Sequence, residues 1–312
     1  MNTDQRQRLI CDLKESSSFL NTAADLLMLV NEAPEEETSA PDCLKMTLNR
    51  CSARSSYYHR ARASDEDELR EAILDIAGRF PRYGSRKIKK QLERAPYRIV
   101  VGRHRVRRLM REMNLLVKPK QRRLQTTDSR HGLRRFPNLV RGVKASRPDQ
   151  IWVADITYIR LPSHDIYLAV IMDQYSRSIR GHHLSRSLGQ ELVLLPLERA
   201  LQQYPAPDIH HSDQGTQYAA KAYVKRLQAA GTQISMAAVG KPSENGYAER
   251  LIRTIKEEEV YLSDYKNMAD ARQQIGHFID VEYQYNRIHS GLNFQTPAEV
   301  EAGWQRNPPS TS

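Results

Sequence analysis

His211-Ser212-Asp213-Gln214-Gly215-Thr216-Gln217-Tyr218 sets one carboxylate at the end of an apolar stretch and begins a turn beside it. The residues before it, Pro207-Asp208-Ile209-His210, read as a short buried strand, and Gly215 permits the tight backbone from which a helix can start near Thr216. Loops at the C-terminal edge of strands are where open α/β sheets place their chemistry. A lone Ser-Asp-x-Gly is more often a helix cap than a reactive site, so Asp213 has to be weighed with its neighbours.

Two further acids join it. In Ile151-Trp152-Val153-Ala154-Asp155-Ile156-Thr157-Tyr158-Ile159 a carboxylate interrupts a β-rich run, where burial is costly unless the charge is paired or bound to a metal. From Lys241 to Lys256 the chain reads as a helix with Ser243 near its N-cap. There Ala248, Leu251, Ile252 and Ile255 fall on one apolar face, while Asn245, Glu249, Arg253 and Lys256 stack as a polar ridge beside it. Three carboxylates without a Cys or His cluster favour a hard, oxygen-seeking ion such as Mg2+ or Mn2+ over zinc. Cys11, Cys43 and Cys51 are odd in number and lack Cys-x-x-Cys spacing, so they support neither a disulfide framework nor a zinc site.

The chain of 312 residues carries a formal charge of +11, unevenly spread. Residues 51–150 hold 27 Lys and Arg against 10 Asp and Glu, whereas residues 1–50 and 151–312 are each slightly acidic. A basic block of this kind marks a polyanion-binding surface. Within it Leu69, Ile73, Ile76 and Phe80 recur at helical spacing until Pro81. A second helix is expected to be capped by Ser85 and to end at Leu92. A third, over 102–113, buries Val106, Leu109, Met110 and Met113 and turns Arg103, Arg105, Arg107, Arg108 and Arg111 outward. This is a helix-turn-helix-like pattern whose last helix faces DNA, and its charge density points to phosphate contacts rather than base reading. No apolar run approaches the roughly eighteen residues that cross a bilayer, which with the missing signal peptide makes the cytoplasm the expected location.

Beyond residue 145 the pattern predicts strands near 151–160, 165–173 and 178–185, a helix over 189–204, a strand at 208–212, a helix over 216–230, a strand near 232–236, the Glu249 helix and a last helix over 268–285. Strands first, then helices alternating with strands, give an α/β mixed sheet flanked by helices.

With 35 residues between Asp213 and Glu249 (249 − 213 − 1), Lys256 seven after the Glu, and the Asp-Ile-Thr-Tyr-Ile run, the chain resembles the Asp-Asp-Glu integrase core of bacterial insertion-sequence transposases. It is most similar to orfB-type proteins of insertion-sequence family three. Tyr83-Gly84-Ser85-Arg86, Asp173-Gln174-Tyr175-Ser176-Arg177 and Tyr285-Asn286-Arg287-Ile288-His289-Ser290 extend the likeness over about residues 50–300. Where family members carry Asp-Asn-Ala ahead of their Glu, this chain has Glu244-Asn245-Gly246.

The resemblance implies an RNase H-like core at 146–303, a helix-turn-helix-like domain at 51–117, a basic linker at 118–145, a leader at 1–50 with no assigned role and a tail at 304–312. It further implies Asp155, Asp213 and Glu249 as catalytic metal ligands for two Mg2+ ions, with Mn2+ as substitute. Such an ion pair promotes in-line displacement at phosphorus, giving strand cleavage with water and strand transfer with a DNA 3′-hydroxyl. Arg253, Lys256, Lys241 and Asn245 join the five helix arginines as expected DNA contacts, and His211 is expected to support the metal ligands through a hydrogen bond. The implied partners are the element's terminal inverted repeats, target DNA, further copies of the chain and the product of an upstream reading frame. Two other readings stay open on the residues: an RNase H-like nuclease that does not join, and a non-enzymatic DNA-binding protein with a degenerate core.

Overall fold

The computed structural model describes residues 63–117, 136–162, 164–238 and 241–306. The chain divides into two compact units, Met1–Pro119 and Lys120–Ser312; the 1–50 leader lies outside the described residues.

The first unit contains α1 (Ala63–Arg79), α2 (Ser85–Leu92) and α3 (Arg103–Glu112). Their apolar faces meet as the helical spacing requires: Leu69, Ile73, Ile76, Ile88, Leu92, Val106, Leu109 and Met110 are buried, and Phe80 stacks on Tyr83 at 4.5 Å. Ser85 does not cap α2. Gly84 holds the cap position with extended backbone and no side-chain bond, and Ser85 is a buried first residue whose Oγ accepts from Arg103 Nε at 3.5 Å. Arg105 and Arg108, expected to be free on the outer face, reach Glu66 of α1 at 3.7 and 3.0 Å, and Arg70 of α1 reaches Glu112 at 2.7 Å. These arginines tie α1 to α3.

The second unit is built on a five-stranded sheet of order β3-β2-β1-β4-β5, with β1 (Ile151–Arg160), β2 (Asp165–Asp173), β3 (Ile179–Ser185), β4 (Ile209–Ser212) and β5 (Gln233–Met236). The first three strands run antiparallel, and β4 and β5 run parallel to β1, the RNase H-like arrangement. Side chains alternate across a strand, so each face of β1 has its own core. Trp152 and Ala154 pack with Ala169 and Ile171 against α4 (Glu191–Gln203), α5 (Thr216–Ala219) and α6 (Lys221–Ala229). Ile151 and Val153 pack with Leu168 and Val170 against α7 (Gly246–Ile255) and α8 (Met268–His277). A Cβ at Gly181 would lie 2.5 Å from Pro196 O, so β3 needs a glycine for α4 to lie this close.

Several boundaries differ from expectation. The helix expected over 216–230 breaks at Ala220, whose ψ of 140° is extended, although the spacing of its apolar residues continues. The helix expected over 268–285 is α-helical only in α8 and continues in wider π turns over Phe278–Asn286; α7 likewise runs into a π turn over Lys256–Val260. A ninth helix, α9 (Pro297–Arg306), was not expected. It starts in a reciprocal capping box: Glu299 N donates to Thr296 Oγ1 at 3.2 Å and Thr296 N to Glu299 Oε2 at 2.9 Å.

Contacts to the core reach beyond both expected edges. Upstream, Val140 is in the core, Leu139 N donates to Ser235 Oγ at 2.9 Å and Met236 N to Pro137 O at 3.3 Å, so the ordered core begins well before 145. Downstream, Trp304 of α9 is half-buried and meets Tyr175 edge-on at 5.4 Å.

Candidate active site

Strand register brings the acids together. In the parallel pair β1–β4, Val153 lies opposite His211, so Asp155 stands two residues further along β1 on the face of Val153, and Asp213 lies just past the end of the neighbouring strand. The Val153 face is the one covered by α7. Asn245, just ahead of α7, donates its Nδ2 to Ala154 O at 3.1 Å, and Glu249 follows one helical turn later.

All three carboxyl groups are half-buried by surface. Asp155 is pushed up to about 8, first by burial, then by the charge of Asp213; that of Glu249 adds to this, while the Ile156 N–H and Lys256 oppose it. Burial also raises Glu249, with Arg253 opposing. Like charges therefore converge where water solvates them poorly, a cost that a divalent cation would relieve. Among the described residues no three His, Cys, Asp or Glu side chains close into a ready-made metal cage: the acids share a field without meeting at one point. Their chemistry fits a hard cation.

Asp213 does not cap α5. Its Oδ1 accepts from Gly215 N at 2.9 Å and Gly215 takes the cap position. A Cβ at Gly215 would stand only 3.0 Å from that oxygen, so the glycine serves close approach rather than a special backbone angle. Tyr218, from the same motif, is buried with a hydroxyl that has no hydrogen-bond partner among the described residues; burial raises its pKa well above the ordinary value, with Asp155 and Asp213 adding to this.

The polar ridge is only partly as expected. Arg253 is exposed, and Lys241 is exposed where the chain enters the turn before α7. Lys256 is half-buried, its Nζ 4.6 Å over the Tyr158 ring; burial lowers its pKa and Asp155 partly restores it. Asn245, expected to face DNA, is instead buried at 4% exposure with its amide committed to β1. Ser243 is not the helix cap either: Pro242–Asn245 form a 3-10 turn and Asn245 takes the cap position without a capping side-chain bond. Of the five arginines of α3, Arg103, Arg107 and Arg111 are exposed without an ion partner among the described residues, Arg103 donating a hydrogen bond to Ser85.

Sequence reasoning missed a polar cluster beside the acids. Glu244 Oε2 accepts from Ala238 N and from Asn138 Nδ2, both at 2.8 Å, and Oε1 accepts from Arg141 Nη2 at 2.5 Å. These donors hold its carboxyl down to about 2, the Ala238 N–H contributing most. His211, expected to support the metal ligands, has one ring nitrogen 2.8 Å from Ser235 Oγ and the other 3.2 Å from Glu244 O. The only signal was the acid–amide pair Glu244-Asn245, because the donors to Glu244 come from residues up to 106 positions away.

A five-stranded mixed sheet of order β3-β2-β1-β4-β5 with acids at β1 and just past β4 is the frame of an RNase H-like core, and the sequence relationships give its class. Residues 145–242 and 230–297 each match a family described as integrase core domain, and residues 64–123 match one described as HTH-like domain. The transposase of insertion element IS629 from Shigella sonnei is 32% identical over 292 residues, covering 89% of this chain and 96% of that protein. The transposase of IS904 from Lactococcus lactis is 33% identical over 223 residues, covering 70% and 87%. Among solved structures, the HTLV-2 integrase catalytic core in complex with magnesium shares 16% identity at a TM-score of 0.41, over 49% of this chain and 96% of that one. The chain belongs to the insertion-sequence transposases with an integrase core, proteins of DNA transposition. None of its described helices is long and apolar enough to cross a membrane.

Proposed function

We propose that this transposase is an orfB-type member of insertion-sequence family three that cuts the ends of its element and joins them to target DNA through Asp155, Asp213 and Glu249. The observation that carries the reading is the parallel register Val153–His211, with the upward push that Asp213 and Glu249 exert on Asp155. The three carboxylates would hold Mg2+, two ions being the expected number and Mn2+ a substitute, and the bound metal would supply positive charge for the attacking and leaving oxygens at phosphorus.

The protein's own groups do the rest. Arg253, exposed one turn beyond Glu249, grips the phosphodiester backbone, and Lys256, braced on Tyr158, keeps its ammonium near Asp155. Lys241 adds a third cation at the entrance of the same turn. The arginines of α3 hold the DNA by its phosphates, with Arg107 and Arg111 the leading contacts and Arg103, Arg105 and Arg108 also holding the helix in place. Terminal inverted repeats and target DNA are the substrates, several copies of the chain assemble on them in the cytoplasm, and the upstream reading-frame product is a candidate partner.

The experiment is a joining assay with Mg2+ on a duplex carrying the repeat that flanks the coding sequence. Transfer of the cut 3′ end into target DNA, lost with Asp213→Asn, supports the reading. Cleavage without joining would make the protein a nuclease, and DNA binding without either reaction would make it a non-enzymatic binder.

A further inference from the structure

The polar cluster around Glu244 is a closed circuit with a defined direction. A backbone carbonyl only accepts, so His211 Nε2 must donate to Glu244 O, and in the neutral ring Nδ1 then accepts from the Ser235 hydroxyl. Ser235 Oγ in turn accepts from Leu139 N at 2.9 Å, while Asn138, one residue earlier, donates to the Glu244 carboxylate. The ring thus runs from the segment 136–141 ahead of β1, a strap across the sheet edge, through β5 and β4, to the turn that starts α7, and back. Asn138 is fixed within it, its Oδ1 accepting from Val140 N at 3.0 Å. A spur leaves it at the next residue, where Asn245 holds Ala154 O on β1.

Three of the segments joined by the circuit and its spur lead to the three acids. His211 stands two residues before Asp213, Ala154 directly before Asp155, and Glu244 five residues before Glu249. We propose that Glu244 is a positioning residue that sets Glu249 relative to Asp155 and Asp213 by binding the entrance of α7 to the exit of β5 and to the strap at Asn138 and Arg141. This rests on the reading of those three acids as the metal-holding set. Glu244 touches no reacting atom in this role. Its carboxylate suits the task because it satisfies three donors from separate segments at once, whereas an amide would turn its own N–H groups toward one of them.

The test uses the full chain. Glu244→Gln should make the Ala238 amide exchange with deuterium about tenfold faster in metal-free protein, because a neutral amide oxygen replaces the charged acceptor and the amide N–H groups oppose one of the three donors. In cleavage with Mg2+ it should lower kcat by about 100-fold, the usual effect of a shift of about 1 Å in the reacting geometry, and raise the Mg2+ concentration for half-maximal rate, with the KM for DNA within about twofold. Glu244→Asp, which restores the carboxylate, should recover part of both losses. Asn138→Ala should act in the same direction more weakly and add little to Glu244→Gln, as expected within one network. If Glu244→Gln does not fold, Asn138→Ala carries the test alone. Wild-type Ala238 exchange and kcat in both variants would overturn the proposal. Asp213→Asn separates the two readings: a fully active Asp213→Asn would sink the assignment of the acids, whereas an inactive one beside normal Glu244 variants would sink only the circuit.

Discussion

The helical unit holds its shifted carboxylates down with cations, whereas the integrase core holds some down and raises others. In the helical unit Glu66 is shared by Arg70, Arg105 and Arg108, and Glu93 by Lys89 and Lys90, and both are held below the ordinary carboxylate range by those partners. In the core, Glu258 and Glu244 are likewise matched by Arg287 and Arg141, but Asp155 and Glu249 are pushed up. Burial alone raises Glu249, and it also raises Asp173 and Glu259 away from the candidate site; what sets Asp155 apart is the added push of Asp213 and Glu249, which either a proton or a cation would relieve. On the proposed reading the acids that would hold metal lie in the core beside Arg253, Lys256 and Lys241, while the α3 arginines that would hold DNA lie in the helical unit.

The strongest way to break this division is to neutralise one acid at a time. Asp155→Asn, Asp213→Asn and Glu249→Gln should each cut cleavage and joining by roughly a thousandfold or more, the equivalent of several kcal/mol of lost transition-state stabilisation. Gel-shift affinity for DNA should change little. Equal loss of DNA binding in all three would make the acids part of the frame after all.

A smaller effect is expected on the basic side. Replacing Arg103, Arg107 and Arg111 by Ala should flatten the plot of log K against log salt by roughly three units, at about 0.9 per phosphate contact, and weaken random and terminal-repeat DNA alike. Loss confined to terminal-repeat DNA would show that α3 reads bases, and no change on either would move the interface to the basic stretch 118–135.

Stability against pH should sharpen the contrast by its sign. Asp155 titrates in the folded protein at about 8, above its unfolded value near 4. Between those limits the folded state holds the extra proton, so metal-free protein should lose stability as pH rises from about 4 to about 8, a slope shared by the coupled acids. Asp155→Asn should melt higher at pH 8 and lose most of that slope. Glu66 works the other way: its folded value is depressed, so its contribution is present above the unfolded value near 4.3 and is lost as pH falls through the folded one. Melting curves of Asp155→Asn and Glu66→Gln across this range would expose a shared sign if the contrast is wrong. Least of all, Thr296→Ala should cost about 1 kcal/mol by opening the capping box of α9, lowering Tm by roughly 2–4 °C with activity retained.

Much of this was legible in the residues. The alternation around Asp155, the strand-end position of Asp213 and the helical spacing through Glu249 are local patterns, and the structure builds β1, β4 and α7 on them. The apolar spacing of α3 was equally readable. The break at Ala220 was not, because apolar periodicity runs through it unchanged, and the π turns after Ile255 and His277 keep a helical pattern while widening the backbone. Thr296-Pro297-Ala298-Glu299 carried the full helix-start signal of a capping Thr, Pro at the first position and Glu three residues on, and deserved to be read as one. The strap was hidden for a different reason. Asn138 and Arg141 show no periodicity and find their partner more than a hundred residues later, a relation that no local window contains.

That strap decides where the catalytic half can be excised. A fragment cut at residue 145, where the integrase-core match starts, would discard Asn138 and Arg141 and leave the Glu244 carboxylate with Ala238 N alone of its three donors. Ser235 would lose the Leu139 amide, and the core would lose Val140. A minimal catalytic fragment therefore begins no later than Phe136, nine residues upstream of the apparent domain edge.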